Sequence, residues 1–79
     1  MSVINLREKI FEAICIEVLG EEQHLLPRYE REFRERADEA IIERDEEKHR
    51  YAVYEPLENL NMFLCYITDD NQIIFNFRH

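Results

Sequence analysis

Residues 62–78 read MFLCYITDDNQIIFNFR, and this stretch decides the fold class. Its two ends are rich in β-branched and aromatic residues, which favour β-strands. Between them, the Asp-Asp-Asn segment at 69–71 has the side chains that tight turns favour. The sequence therefore predicts an antiparallel hairpin with strands at about 62–68 and 72–78.

A third strand is predicted shortly before this hairpin. Residues 51–55 read YAVYE, which is again β-branched and aromatic. Pro56 ends the run, because proline has no backbone N–H to donate to a strand ladder. Three consecutive strands joined by short connections predict an antiparallel β-meander at the C-terminal end of the chain.

The N-terminal part of the chain has helical periodicity. Asn5 and Glu8 have the spacing of a capping box, and Gly20, the single glycine, suits the left-handed residue that ends a helix. A first helix is therefore predicted at about 5–19. Its second half, 13–19, carries one charge and is apolar nearly all round, so we expect it to be covered on more than one side.

A second, heavily charged helix is predicted at about 27–48. Pro27 suits a first helical turn, where its missing N–H has no consequence. Tyr29, Phe33 and Ala37 mark a narrow apolar stripe. The remaining positions place opposite charges four residues apart, and each such pair stabilises a helix by ~0.2–0.5 kcal/mol. Most of this helix is expected to face water.

Together these elements predict one α+β domain spanning 1–79. Two N-terminal helices are expected to pack on a C-terminal three-stranded antiparallel β-meander. The residues expected in the core are Leu6, Ile10, Ile14, Val18, Phe33, Val53, Leu64, Phe75 and Phe77.

The charge balance narrows the class of partner. The chain has 18 Asp and Glu against 10 Lys and Arg, a net charge of −8. Phosphate backbones and anionic membranes repel such a surface on average, so neither direct nucleic-acid binding nor membrane binding is expected. A basic protein is the partner class that this charge fits. Since no apolar run approaches membrane-spanning length and the first is interrupted by charges, a cytoplasmic location is predicted.

The sequence offers no catalytic arrangement. Cys15 and Cys65 lie in apolar runs and are predicted to be buried, reduced thiols. A single glycine cannot build a phosphate-binding loop. Neither a nucleophile with a neighbouring base nor a cofactor motif is present, so we predict a protein that is not an enzyme and uses no cofactor.

Three functions remain open, and two of them involve protein partners. The first is a non-catalytic interaction or regulatory module that self-associates as a homodimer or larger homo-oligomer. This hypothesis rests on the small size of the domain, which has little capacity to bury the apolar end of helix 1. The second is an acidic inhibitor of the phage or mobile-element type that imitates nucleic-acid phosphates in a basic groove. Its candidate partner-binding residues are Glu39, Glu43, Asp45, Glu46 and Glu47.

The third hypothesis is metal binding. Glu-x-x-His occurs twice, from Glu21 to His24 and from Glu46 to His49. On a helix, residues three apart share a face and can ligate one metal ion. Both pairs lie in acid-rich stretches, where charged side chains more often simply face water.

Overall fold

The computed structural model of the protein describes residues 5–75. Its elements in chain order are α1 (Leu6–Leu19), a 3₁₀ turn (Gln23–Leu25), α2 (Leu26–Glu39), β1 (Ile41–Asp45), β2 (Arg50–Pro56), β3 (Asn61–Thr68) and β4 (Ile73–Ile74). Across this range the strands form one antiparallel sheet in the order β1-β2-β3-β4. The predicted α+β class is confirmed, but the sheet has four strands and not three.

α1 has the cap and the terminator that its sequence predicts. The side chain of Asn5 accepts a hydrogen bond from the backbone N–H of Glu8 at 3.2 Å. Gly20 ends the helix with φ at 53°, and its N–H donates to the carbonyl of Ile16 at 3.0 Å. A side chain at this left-handed φ would be strained, so glycine is the residue that fits.

The prediction that the second helix continues to residue 48 is wrong beyond Glu39. Ala40 takes extended backbone angles, φ −61° and ψ 145°, and β1 begins directly after it. In β1, Ile42 pairs with Val53 of β2 and packs against the core. The charged residues of this segment favour a helix locally, but strand pairing and the burial of Ile42 outweigh that preference.

A tight turn connects each outer strand of the sheet to the inner strand beside it. Between β1 and β2, Asp45 accepts a hydrogen bond from the N–H of Lys48 at 3.2 Å, and His49 has φ at 53°. Between β3 and β4, the N–H of Asn71 donates to the carbonyl of Thr68 at 2.9 Å. β4 begins at Ile73, and residues 76–78 of the strand predicted at 72–78 lie outside the described residues.

The core lies between the two helices and one face of the sheet. Of the predicted core residues, Ile10, Ile14, Phe33, Val53 and Leu64 are buried. Leu6 and Phe75 are partly buried and pack against them, whereas Phe77 lies outside the described residues.

The placement of Val18 in the core is wrong. Its residue surface is 49% exposed. α1 buries one row of side chains that includes Ile10 and Ile14 and another that includes Phe11 and Cys15. Val18 follows Ile14 by four residues and so continues the first row, but this row is left uncovered at the C-terminal end of α1.

Two arginine side chains attach the helices to each other. Arg34 of α2 donates to both carboxylate oxygens of Glu8 in α1, at 2.8 and 3.3 Å, and its guanidinium lies 4.0 Å from the ring centroid of Phe11. Arg7 donates to the carbonyls of Ala37 and Ala40 at 2.8 and 2.9 Å. These bonds satisfy acceptors that the end of α2 leaves without a helical partner.

Candidate functional site

The helices cover one face of the sheet and leave the other face open. Val53, Cys65 and Ile67 belong to the core beneath the helices. Directly paired residues share a face, and successive residues of a strand alternate between faces. The pairings Ile41 with Tyr54, Tyr54 with Phe63, Ala52 with Tyr66 and Tyr66 with Ile74 therefore define the opposite side. We call this side the open face, and its apolar part consists of Ile41, Ala52, Tyr54, Phe63, Tyr66 and Ile74.

A β-bulge gathers three aromatic rings on the open face. The register between β2 and β3 shifts next to Tyr54, and Leu64 is the extra residue. The extra residue brings Phe63 and Tyr66 to the same face, although an odd spacing of three would normally separate them. The ring centroids of Tyr54 and Phe63 are 5.7 Å apart, and those of Phe63 and Tyr66 are 4.8 Å apart.

The three aromatic rings remain accessible to solvent, although Ala52 on the same face is buried. Ala52 is 8% exposed, yet it is not part of the core beneath the helices. The three rings are half-buried, and Ile74 at the edge is 42% exposed. Antiparallel sheets with one solvated face usually carry polar side chains there. The solvated face of this sheet is aromatic, and this is the main way in which the surface of the domain differs from that of an ordinary monomeric protein.

The charges on the open face are largely matched internally. The guanidinium of Arg50 lies 3.5 Å from the ring centroid of Tyr66, and its Nε lies 3.7 Å from the carboxylate of Asp45. Glu43 is opposite Ala52 in the register, and among residues 5–75 it forms no ion pair. The face thus combines an apolar centre, one matched pair of charges and one carboxylate without a cation.

The aromatic cluster does not follow from the regular alternation of residues in a strand. Regular alternation through 62–68 places Phe63 on the side of Cys65, away from Tyr66. The available signal was the consecutive apolar pair Leu64 and Cys65, because a bulge allows neighbours in a strand to be buried together.

The five acids predicted to bind a partner do not share one helix face. Glu39 ends α2, Glu43 and Asp45 lie on β1, and Glu46 and Glu47 lie in the following turn. All but Asp45 are exposed. The helix that would have aligned them ends before the acidic stretch begins.

Arginines already bind part of this acidic stretch. Arg44 donates to Glu46 at 2.6 Å and to both carboxylate oxygens of Asp69 at 2.6 and 3.0 Å. Hydrogen bonding to Arg44 lowers the pKa of Asp69, and the same bonds raise the pKa of Arg44. Some of the acids in this region are therefore already paired with arginine, and within the described residues the others are not.

The two predicted Glu-x-x-His pairs lie outside regular helices. His24 is in the 3₁₀ turn, with its Nε2 3.4 Å from Glu22, and His49 is in the β1–β2 turn, with its Nδ1 4.0 Å from Asp69. Within the part of the chain that the structure describes, no group of three or more His, Cys, Asp and Glu side chains is arranged to hold a metal ion.

Both cysteines are buried free thiols. Burial raises the pKa of Cys15 and raises that of Cys65 to about 12. A nucleophilic cysteine needs an accessible thiolate, and these sites disfavour that form.

Neither described helix has the length and apolar character needed to cross a membrane. Comparison with protein families, with curated proteins and with solved structures finds no match to this chain.

Proposed function

We propose that this protein is a small non-catalytic interaction module that self-associates through its open face. The observation that carries the proposal is the cluster of Tyr54, Phe63 and Tyr66 on the side of the sheet that no helix within residues 5–75 covers. Aromatic side chains contribute strongly to interfaces, because each buries a large area with few rotatable bonds.

The charge distribution of the open face favours a second copy as the occupant. The interiors of homodimer interfaces are depleted of unmatched charges. Here Arg50 and Asp45 match each other, and the one acid of the face that is unmatched within residues 5–75, Glu43, lies on the edge strand β1, where an interface has its polar rim. The charged residues of α2 belong to the opposite layer, so two open faces can meet without bringing those charges together.

The size of the face limits the expected affinity. Four strands at ~4.8 Å spacing and about seven residues at ~3.3 Å rise form a rectangle of roughly 19 by 23 Å. A standard interface buries about 800 Å² on each partner, so this face, at roughly 440 Å², is smaller than a standard interface. We expect a dissociation constant on the order of 10 μM.

The test compares two isoleucines of similar exposure in opposite layers. Ile74 on the open face is 42% exposed, and Ile16 on α1 is 46% exposed. Sedimentation velocity over a concentration series should show a dimer for the wild type and for Ile16→Glu. It should show a monomer for Ile74→Glu, because a buried carboxylate without a cation is unfavourable in an interface.

Circular dichroism of each variant provides the control for folding. A wild type that stays monomeric well above the expected dissociation constant would refute self-association. Loss of the dimer in Ile16→Glu, but not in Ile74→Glu, would place the interface on the helices and contradict the open face.

A further inference from the structure

We infer that a groove in the helix layer is a second binding site, which accepts a basic amphipathic helix from a partner protein. The groove has a volume of about 360 Å³ and lies between the end of α1, the 3₁₀ turn and α2. Val18, Leu25, Tyr29 and Phe33 supply its apolar lining. The site is independent of the open face, because the helices lie on the other side of the sheet.

The groove exposes apolar surface that the domain does not bury. Val18 is 49% exposed, although it lies in the apolar second half of α1. On the facing side, the half-buried ring of Tyr29 stacks on the buried ring of Phe33, with centroids 5.7 Å apart and an interplanar angle of 14°. A side chain that enters between Val18 and these rings would find apolar atoms on two sides, which is how amphipathic helices anchor in grooves.

The rim of the groove has excess negative charge. Arg36 is its one cation, and Arg36 donates to both carboxylate oxygens of Glu55 at 2.8 and 2.7 Å. Glu32 forms no ion pair among the described residues. Glu22 contacts His24 at 3.4 Å, and that exposed histidine is positive only when protonated.

Glu22 and Glu32 therefore border an apolar lining whose one cation among the described residues, Arg36, is already bound by Glu55. This combination is complementary to a helix that carries apolar anchors beside Lys or Arg. It also disfavours a nucleic-acid strand, whose phosphates the same carboxylates repel.

The groove is formed before any partner binds. The side-chain amide of Gln23 donates to the carbonyls of Cys15 and Gly20 at 2.9 and 3.0 Å, which ties the 3₁₀ turn to the end of α1. The N–H of Leu25 donates to the carbonyl of Glu22 at 2.9 Å. A preformed site loses less conformational entropy on binding than one that must first become ordered.

The test uses a fluorescein-labelled synthetic helix of about 16 residues, with leucines on one face and lysines on the other. Its affinity is measured by fluorescence polarisation at low salt, beside a matched peptide in which glutamates replace the lysines. We expect the lysine peptide to bind and the glutamate peptide not to bind. The double variant Glu22→Gln with Glu32→Gln should bind the lysine peptide about fivefold more weakly.

The matched control is the double variant Glu30→Gln with Glu35→Gln, which also removes two charges. Glu30 and Glu35 are exposed acids of α2 that do not line the groove. An equal loss in this control would show a general charge attraction and overturn the site. So would unchanged affinity in the double variant or in Val18→Asp.

A third variant separates this inference from the proposed self-association. Loss of peptide binding in Ile74→Glu, with normal binding in the groove variants, would place the peptide on the open face and overturn the groove. Sedimentation of the groove variants gives the independent readout, because they should still form dimers. A failure of self-association alone leaves the result for the groove intact.

Discussion

The guanidinium of Arg50 lies 3.5 Å from the ring centroid of Tyr66 on the open face. This contact places a cation on the aromatic part of the open face. Arg50 covers an aromatic ring with its planar group and also approaches Asp45, with 3.7 Å between its Nε and the carboxylate. A cation over an aromatic ring in a partly desolvated site contributes about 1 kcal/mol. The first prediction follows from this double role.

Replacing Arg50 by Gln should weaken self-association about tenfold, because the carboxylate of Asp45 then enters the interface without a cation. Adding Asp45→Asn to that variant should restore most of the affinity, since asparagine can still accept the hydrogen bond from Lys48. Sedimentation equilibrium of the single and double variants measures both effects. Equal weakening in the two variants would show that the stacking on Tyr66 matters and the charge does not.

The two proposed sites should respond to salt in opposite directions. Each copy has a net charge of −8, so added salt screens the repulsion between copies and should strengthen the dimer. The groove attracts a basic peptide through Glu22 and Glu32, so the same change should weaken peptide binding. Both affinities can be measured between about 0.05 M and about 0.3 M salt, which spans a large change in screening. Parallel responses would contradict at least one of the two sites.

The ion pair between Arg36 and Glu55 should contribute to stability. The two side chains are 34% and 18% exposed, and Glu17 brings a second negative charge near Arg36. Removing the cation in Arg36→Ala leaves Glu55 partly buried and unpaired, which should lower the free energy of unfolding by about 2 kcal/mol. Urea denaturation measures the change. Arg31→Ala is the control, because Arg31 is exposed on the same helix, and its effect should stay within about 0.5 kcal/mol.

Acid should destabilise the protein through two exposed ion pairs. Hydrogen bonding to Arg34 lowers the pKa of Glu8, and hydrogen bonding to Arg44 lowers that of Asp69. A carboxyl group whose pKa is lower in the folded state contributes stability above its unfolded pKa, and this stability is lost as the pH falls through the folded value. We therefore expect the free energy of unfolding to fall between about pH 5 and about pH 3.

The variants Glu8→Gln and Asp69→Asn should each be less stable than the wild type at neutral pH and should lose less stability in acid. Glu17→Gln should behave differently. Burial, with Glu55 as a further cause, raises the pKa of Glu17. Its charged form is therefore unfavourable in the folded state, and its removal should stabilise the protein at neutral pH. Urea titrations at several pH values distinguish these responses. A wild type with constant stability across the acid range would contradict the predictions for Glu8 and Asp69, and a Glu17→Gln variant no more stable than the wild type at neutral pH would contradict the prediction for Glu17.

Local signals in the sequence predicted the elements whose structure depends on near neighbours. Asn5 caps α1 through a bond to a residue three positions away, and Gly20 ends that helix because its φ of 53° disfavours a side chain. The turn at 69–71 formed for a similar reason, and Asn71 takes a φ of 69° there. In each case the deciding interaction lies within a few residues of the chain.

Tertiary structure alone decided the parts that form the two proposed sites. Glu43 and Arg44 have high helix propensity, but Ile41–Asp45 forms a strand because β2 offers a ladder and the core accepts Ile42. Leu64 forms a bulge, which places Phe63 beside Tyr66. Val18 stays exposed because the elements that cover Ile10 and Ile14 do not extend over the Val18 side of the last turn of α1. The sequence alone determined the helix cap, the helix end and the β3–β4 turn, because each depends on near neighbours. Contacts between residues far apart along the chain decided which apolar side chains stayed uncovered.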